Sequence, residues 1–294
     1  MGPDPGVSQL AAAFIGLGAM GAPMAGHLAR RGYLKAVWNR SPDRAEAFTQ
    51  ENNVIALKHL RDLPRAAKII ALCVSRDEDV LMVIESLLGG LSAHHLIIDF
   101  STVSPETAQL AAKKVRACGA DFLDAPVTGG VEGATQGTLT IMVGGRPAAL
   151  DSIRPLLDSL ATKIVHLGEV GMGQRAKAVN QVLCAGINEA VTEALAFGSH
   201  LGLAMEQVIE AISGGAAGNW FLDHRGKSMI EGRFSPGFKL ALHLKDLEIV
   251  AAMAQELQIT LPLSEATREH YVELLQQGYG DDDISALYRL KRPS

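Results

Sequence analysis

A parallel α/β half followed by an all-helical half, the two joined by one long helix, is the fold class this sequence predicts. Three observations carry it. Strand-like and helix-like runs alternate from Ala11 to Ala117 at the spacing of β-α units, and a Gly16-x-Gly18-x-x-Gly21 turn separates the first strand from the first helix. After Gly168 the strand-like runs all but stop. The chain therefore divides into residues 1–169 and residues 170–294, with the junction near Gly168 to Gly173, and 294 residues suffice for two domains of roughly 150 each.

The first informative stretch, Ala11 to Met24, reads AAAFIGLGAMGAPM. Ala11 to Ile15 is a strand and Ala22 to Arg30 a helix, and the glycines between them have separate jobs. Gly16 takes the tight turn, Gly18 lets a pyrophosphate approach the backbone, and Gly21 lets the helix sit close on its strand. The anion then rests on the helix N-terminus, where backbone N–H groups lack partners. This is the pattern of a Rossmann-type dinucleotide-binding domain, so Gly16, Leu17, Gly18, Ala19, Met20 and Gly21 are candidate cofactor-binding residues. The second strand, Leu34 to Trp38, ends at Asn39-Arg40-Ser41-Pro42. A site for NAD commonly places a carboxylate here, on the ribose 2′-hydroxyl, whereas this chain offers an amide, a guanidinium and a hydroxyl. A carboxylate would repel a 2′-phosphate, and Arg40 can grip it. The expected cofactor is NADP, with NADPH preferred over NADH, and Asn39, Arg40 and Ser41 join the cofactor site.

The alternation continues through a helix from Pro42 to Glu51, a buried strand from Lys68 to Val74, a helix from Asp77 to Leu88 and a strand from His95 to Asp99. Ser104 caps a further helix, Pro105 to Ala117, with proline in its first position. Units of this length make a parallel sheet covered on both faces, and ligands bind beyond the carboxyl ends of its strands. Val74-Ser75 and Ser101-Thr102 therefore face the ligand crevice, with Ser101 assigned to the substrate. Phe122 to Val127, Leu139 to Val143 and Ile164 to Leu167 read as further strands around a helix from Ala148 to Leu160. Gln174 to Leu201 is then one helical pattern without proline, some 28 residues and about 42 Å long. Met205 to Ile212, Leu240 to Leu257 and Leu263 to Gln277 complete the helical half.

Composition narrows the function classes. A formal net charge of −5 and the absence of a basic stripe argue against nucleic acid, and the short basic end from Arg289 to Arg292 reads as a solvated tail. The segment MGPDPGVSQ has no lysine or arginine to open a signal peptide, and no long uninterrupted apolar run exists, so the expectation is a cytoplasmic protein without membrane association. The three cysteines, Cys73, Cys118 and Cys184, stand far apart among apolar neighbours and read as buried free thiols. No metal-ligand spacing appears. Asp281-Asp282-Asp283 lacks the spaced oxygens of a calcium loop and reads as charge at a helix N-terminus. His243 reads as structural, and Trp220-Phe221, after Asn219, as core between helices rather than a substrate wall.

The chemistry is expected where the long helix opens. Lys177 and Asn180 stand three apart and so share a face, and Ala176, Ala178, Val179 and Val182 surround the lysine with apolar groups. Desolvation lowers a lysine pKa toward the range where it exchanges protons near neutral pH. A snorkelling surface lysine is the competing reading of the residues alone.

Across these motifs the chain resembles the β-hydroxyacid dehydrogenase family, which includes 3-hydroxyisobutyrate dehydrogenase, tartronate semialdehyde reductase and the glyoxylate/succinic semialdehyde reductases. The markers are Phe14-Ile15-Gly16-Leu17-Gly18-Ala19-Met20-Gly21, Asp99-Phe100-Ser101-Thr102, Asp124-Ala125-Pro126-Val127-Thr128-Gly129-Gly130, Gly137-Thr138-Leu139, Lys177-x-x-Asn180 and Lys245-Asp246-Leu247. The resemblance implies that Lys177 is the catalytic acid/base and Asn180 its hydrogen-bonding companion at the substrate. It places Thr128, Gly129 and Gly130 on the substrate carboxylate, and Thr102 and Lys245 on the cofactor. Thr128 departs from the family's usual serine, and its methyl group narrows the pocket. The implied activity is NADP-dependent interconversion of a short β-hydroxyacid and its semialdehyde or aldehyde acid, in a homodimer or homotetramer. Two rivals stand beside it: an imine reductase on the same fold, whose members generally lack the lysine, and a non-catalytic NADP-binding interaction module.

Overall fold

The computed structural model describes residues 10–292, so the MGPDPGVSQ segment lies outside the described residues. The chain forms two compact units, one up to Lys177 and one from Ala178.

The first unit is built on a nine-stranded sheet. Its strands are β1 (Ala12–Ile15), β2 (Leu34–Trp38), β3 (Ile55–Ala56), β4 (Ile69–Leu72), β5 (Leu96–Asp99), β6 (Asp121–Asp124), β7 (Val127–Thr128), β8 (Leu139–Gly144) and β9 (Ala161–Gly168). They lie in the order β3-β2-β1-β4-β5-β6-β8-β7, with β9 also on β8. The first six pair parallel, in the order of a dinucleotide-binding sheet. β8 then runs antiparallel to β6 and β7 while β9 pairs parallel with β8, a reversed edge that periodicity alone did not indicate.

The helices are α1 (Gly21–Arg30), α2 (Pro42–Glu51), α3 (Leu63–Ala66), α4 (Asp77–Leu87), α5 (Pro105–Ala117), α6 (Gly130–Gln136) and α7 (Pro147–Leu157). Strand side chains alternate, so Phe14, Ala71, Ile98 and Leu123 join one core with Met24 and Leu28 of α1. Ile15, Ile70, Leu72, Ile97 and Phe122 join a second with Val80, Ile84 and Ala108. The central strands β1, β4 and β5 are buried throughout because both faces are covered, which is why they read as continuous apolar runs. Ser104 caps α5 as expected: its hydroxyl accepts the Thr107 N–H and donates to Asp77 Oδ1 at 2.6 Å. β3, α3 and α6 had no sequence signal because each is too short for a period to show.

The second unit takes the long helix α8 (Met172–His200), whose start lies in the first unit, with α9 (Met205–Ser213), α10 (Trp220–Ile230), α11 (Leu240–Glu256), α12 (Pro262–Gln276) and a 3-10 turn over Ile284–Leu290. Leu195, Phe221, Met229, Leu247, Tyr271, Leu274 and Leu287 share its core. Three expectations are corrected here. The basic end is docked rather than solvated: the Arg289 guanidinium lies over the rings of Phe234 and Tyr279, and Lys291 pairs with Glu189. Trp220 is half exposed and stacks on His224, and only Phe221 enters the core, because Asn219 caps α10 by accepting the Leu222 N–H. Among the described residues no disulfide joins the three cysteines, which are half-buried rather than buried. No helix among the described residues is long and apolar enough to cross a membrane.

Candidate active site

The glycine turn shows which residues the fold requires and which it does not. A Cβ on Gly16 would meet the Cys73 carbonyl oxygen at 2.3 Å, and one on Gly21 would meet the Gly16 carbonyl oxygen at 1.9 Å. Both glycines are demanded by packing, and Gly16 also has a φ of +91°. Around Gly18 nothing lies within 4 Å of an added Cβ. The protein itself places no demand on that position, so its glycine fits a ligand that must come close, as a dinucleotide pyrophosphate does. No side chain caps α1, which leaves its N-terminus suited to an anion. Asn39 supports the turn by accepting the Leu17 N–H at 2.9 Å, while Ser41 is exposed. Arg40 reaches outward, 78% exposed, and pairs with Asp79 at 3.2 Å.

At the carboxyl ends of β4, β5 and β6 a buried polar network joins the predicted crevice residues. Ser101 is buried, and its hydroxyl accepts the Val74 N–H at 2.9 Å, bringing those two residues together. Ser75 is exposed and Thr102 half-buried. Asp99 and Asp124 stand side by side in the β5–β6 register, each fully buried. Burial pushes the Asp99 carboxyl up to about 7 against the Ser101 hydrogen bonds that lower it, and burial likewise raises Asp124 against backbone donors at Gly171 and Gln174.

Lys177 is buried, at 8% exposure, with its ammonium donating to the Val127 carbonyl at 2.9 Å. It is not a snorkelling surface lysine. Val127 immediately precedes Thr128-Gly129-Gly130, where Gly129 and Gly130 have φ of +128° and +63°, a backbone that favours glycine. The loop opens α6, which is tied to α1 by the His27 Nε2 and Thr135 carbonyl contact at 3.0 Å.

In the second unit, the half-buried Asn180 amide donates to Gln181 Oε1 at 2.7 Å, and Gln181 Nε2 donates to Asp246 Oδ2 at 2.6 Å. Asp246 Oδ1 lies 2.7 Å from the Lys245 ammonium. One continuous run of polar contacts within this unit thus links Asn180, expected at the substrate, to Lys245, expected at the cofactor. His243 is buried between the Tyr271 hydroxyl and the Gln181 carbonyl, in the structural role the sequence suggested. Burial raises Tyr271 well above its usual pKa, keeping that hydroxyl protonated. Asp283 caps the last 3-10 turn by accepting the Ser285 N–H, as its reading as terminal charge implied. Among the described residues no group of side chains could hold a metal ion.

Sequence reasoning missed Gln174, Gln181, Asp99 and Asp124 as working residues. The two aspartates did leave a trace: Asp99 closes the otherwise apolar β5 and Asp124 closes β6 after Phe122-Leu123.

Residues 11–168 match the family model for the NAD-binding domain of 6-phosphogluconate dehydrogenase, and residues 171–291 that for the NAD-binding region of NADP-dependent 3-hydroxyisobutyrate dehydrogenase. The chain is 38% identical to 2-hydroxy-3-oxopropionate reductase of Escherichia coli, covering 93% of this chain and 94% of that one. It is 33% identical to an NAD-dependent L-serine dehydrogenase of Pseudomonas aeruginosa, covering 96% and 98%. The solved structure of Mycobacterium tuberculosis 3-hydroxyisobutyrate dehydrogenase with L-serine superposes with a TM-score of 0.84 at 31% identity, covering 96% and 99%. A parallel-rich sheet followed by helices, matched over both halves by relatives of nearly equal length, makes this chain an oxidoreductase of the β-hydroxyacid dehydrogenase family with an NAD(P)-binding domain.

Proposed function

We propose that this protein uses NADPH and NADP to interconvert a short β-hydroxyacid and its semialdehyde or aldehyde acid, with Lys177 as the acid/base. The observation that carries the reading is the buried Lys177 ammonium hydrogen-bonded beside the glycine loop at Thr128. A bound nicotinamide supplies or accepts the hydride. Lys177 stabilises negative charge developing on the carbonyl oxygen and delivers the proton; in oxidation it removes it. Asn180 orients that oxygen, and the backbone freed by Gly129 and Gly130, with Thr128 and Ser101, holds the carboxylate. Lys245 and Thr102 join the glycine turn at the cofactor, within a cofactor domain of residues 1–169 and a substrate domain of residues 170–294.

Replacing Lys177 by Ala tests the reading. NADPH binding, followed by its fluorescence, is expected to persist while turnover falls about 10²–10⁴-fold across succinic semialdehyde, glyoxylate, tartronate semialdehyde, methylmalonate semialdehyde and L-serine. Unchanged turnover would remove Lys177 from its role. The exposed Arg40, with no carboxylate closing β2, supports the choice of NADPH. A higher kcat/KM with NADH than with NADPH would overturn that part alone.

The same reading includes a homo-oligomer, dimer or tetramer. Leu183, Ile187, Ala190, Ala194 and Phe197 are exposed on α8 at spacings of four, three, four and three. That is the seam one helix offers another, and an uncharged seam of this kind complements itself across a two-fold axis in a second copy.

A further inference from the structure

The start of α8 is fastened by two side chains that no reading of the reaction has used. Asp124, the last residue of β6, accepts the Gly171 N–H on Oδ1 at 2.9 Å and the Gln174 N–H on Oδ2 at 3.0 Å, so one carboxylate spans the helix's first turn. The fold clears room for it. A Cβ on Gly144 would lie 2.3 Å from Asp124 Oδ1, and one on Gly173 would lie 2.8 Å from Asp124 Oδ2. Gln174 makes the second fastening. Its buried side-chain amide donates to the Ser101 carbonyl at 2.8 Å and accepts the Val103 N–H at 3.2 Å, gripping the segment that contains Thr102.

Lys177 follows Gln174 by three residues, just under one turn of helix. Its ammonium meets Val127, three residues beyond Asp124. The opening of α8 therefore holds both ends of residues 124–127, by Asp124 at one end and by Lys177 at the other, while Gln174 sets the distance to the end of β5. We propose that Asp124 and Gln174 are positioning residues for Lys177, fixing the helix start so that its ammonium stays beside the Thr128 loop and the Thr102 segment. The inference rests on the reading of Lys177 as the acid/base; its geometric part stands without it.

Rigid placement matters because a shift of about 1 Å in a reacting group can cost about 10²-fold in rate. A buried carboxylate that accepts on both oxygens and a buried amide that both donates and accepts are suited to preventing such a shift. Neither needs to touch substrate or cofactor, so the effect should pass through Lys177 and disappear when Lys177 is absent.

The test uses D124N, which keeps one acceptor oxygen, and Q174M, which keeps the volume but loses both hydrogen bonds, on the full chain. Lysines are labelled with an amine-acylating reagent and read by mass spectrometry. Lys177 is expected to label about tenfold faster in both variants while Lys291, mostly buried in its pair with Glu189, keeps its rate, as a local opening requires. An unchanged Lys177 rate in both variants, or one rising together with that of Lys291 as general unfolding would produce, overturns the proposal. Turnover supplies the second arm. kcat is expected to fall about 10²-fold with NADPH binding kept, and D124N placed on K177A to cost nothing further. If K177A itself stays fully active, the acid/base reading fails, whatever the labelling shows. If K177A is inactive while D124N and Q174M turn over like the parent, the positioning role fails and the acid/base reading survives.

Discussion

Asp99 closes β5 with one oxygen accepting the Ser101 N–H at 2.9 Å and the other, Oδ2, buried without a hydrogen-bond donor. Asp124 stands beside it in register. Burial raises Asp99 from 3.8 to about 7, so the folded protein holds a proton there that the unfolded chain releases. The sign follows from that difference. Its contribution to stability is complete below about pH 4 and is lost as pH rises through about 7, with a slope of at most about 1.4 kcal/mol per pH unit. Asp99→Asn removes the titration. Denaturant midpoints taken from pH 4 to pH 8 should show the parent losing stability relative to D99N, by up to about 4 kcal/mol in all. Parallel curves for the two proteins would mean that Asp99 titrates as an ordinary carboxylate.

At the scale of the element, α8 carries two different kinds of residue along its length. Its first turns are buried and polar, at Gln174, Lys177 and Gln181, whereas its later turns set Leu183, Ile187 and Phe197 in the open. Phe197 is 65% exposed, more than a buried or partnered aromatic would be. If this seam pairs copies of the chain, Phe197→Glu places like charges against each other at the two-fold and should yield monomers in light scattering, with far-ultraviolet circular dichroism unchanged. An unchanged oligomer, or a parent that is already monomeric, would remove the seam from that role. The helix itself was plain in the sequence because 29 residues without proline leave little alternative. Its fastenings were not. Gln174 reaches Val103 across 71 positions and Asp124 reaches Gln174 across 50, and no local pattern encodes a partner so distant.

The whole molecule was legible wherever a period repeats or a motif has fixed spacing. The β-α order, the glycine turn and the helical second unit all meet one of those conditions. The reversed edge at β8 and the short α6 meet neither, since a few residues of strand or helix cannot display a period. The docking of Arg289 and Lys291 was missed for another reason: both look like solvent-facing charge until Phe234, Tyr279 and Glu189, none adjacent in sequence, are brought to meet them. Among the glycines of the turn, 16 and 21 answer to the fold and 18 does not. On the reading that Gly18 faces a pyrophosphate, a methyl group there would act on the ligand alone. Gly18→Ala is therefore expected to keep the parent's denaturation midpoint and to bind NADPH more weakly, whereas alanine at Gly16 or Gly21 should lower that midpoint first.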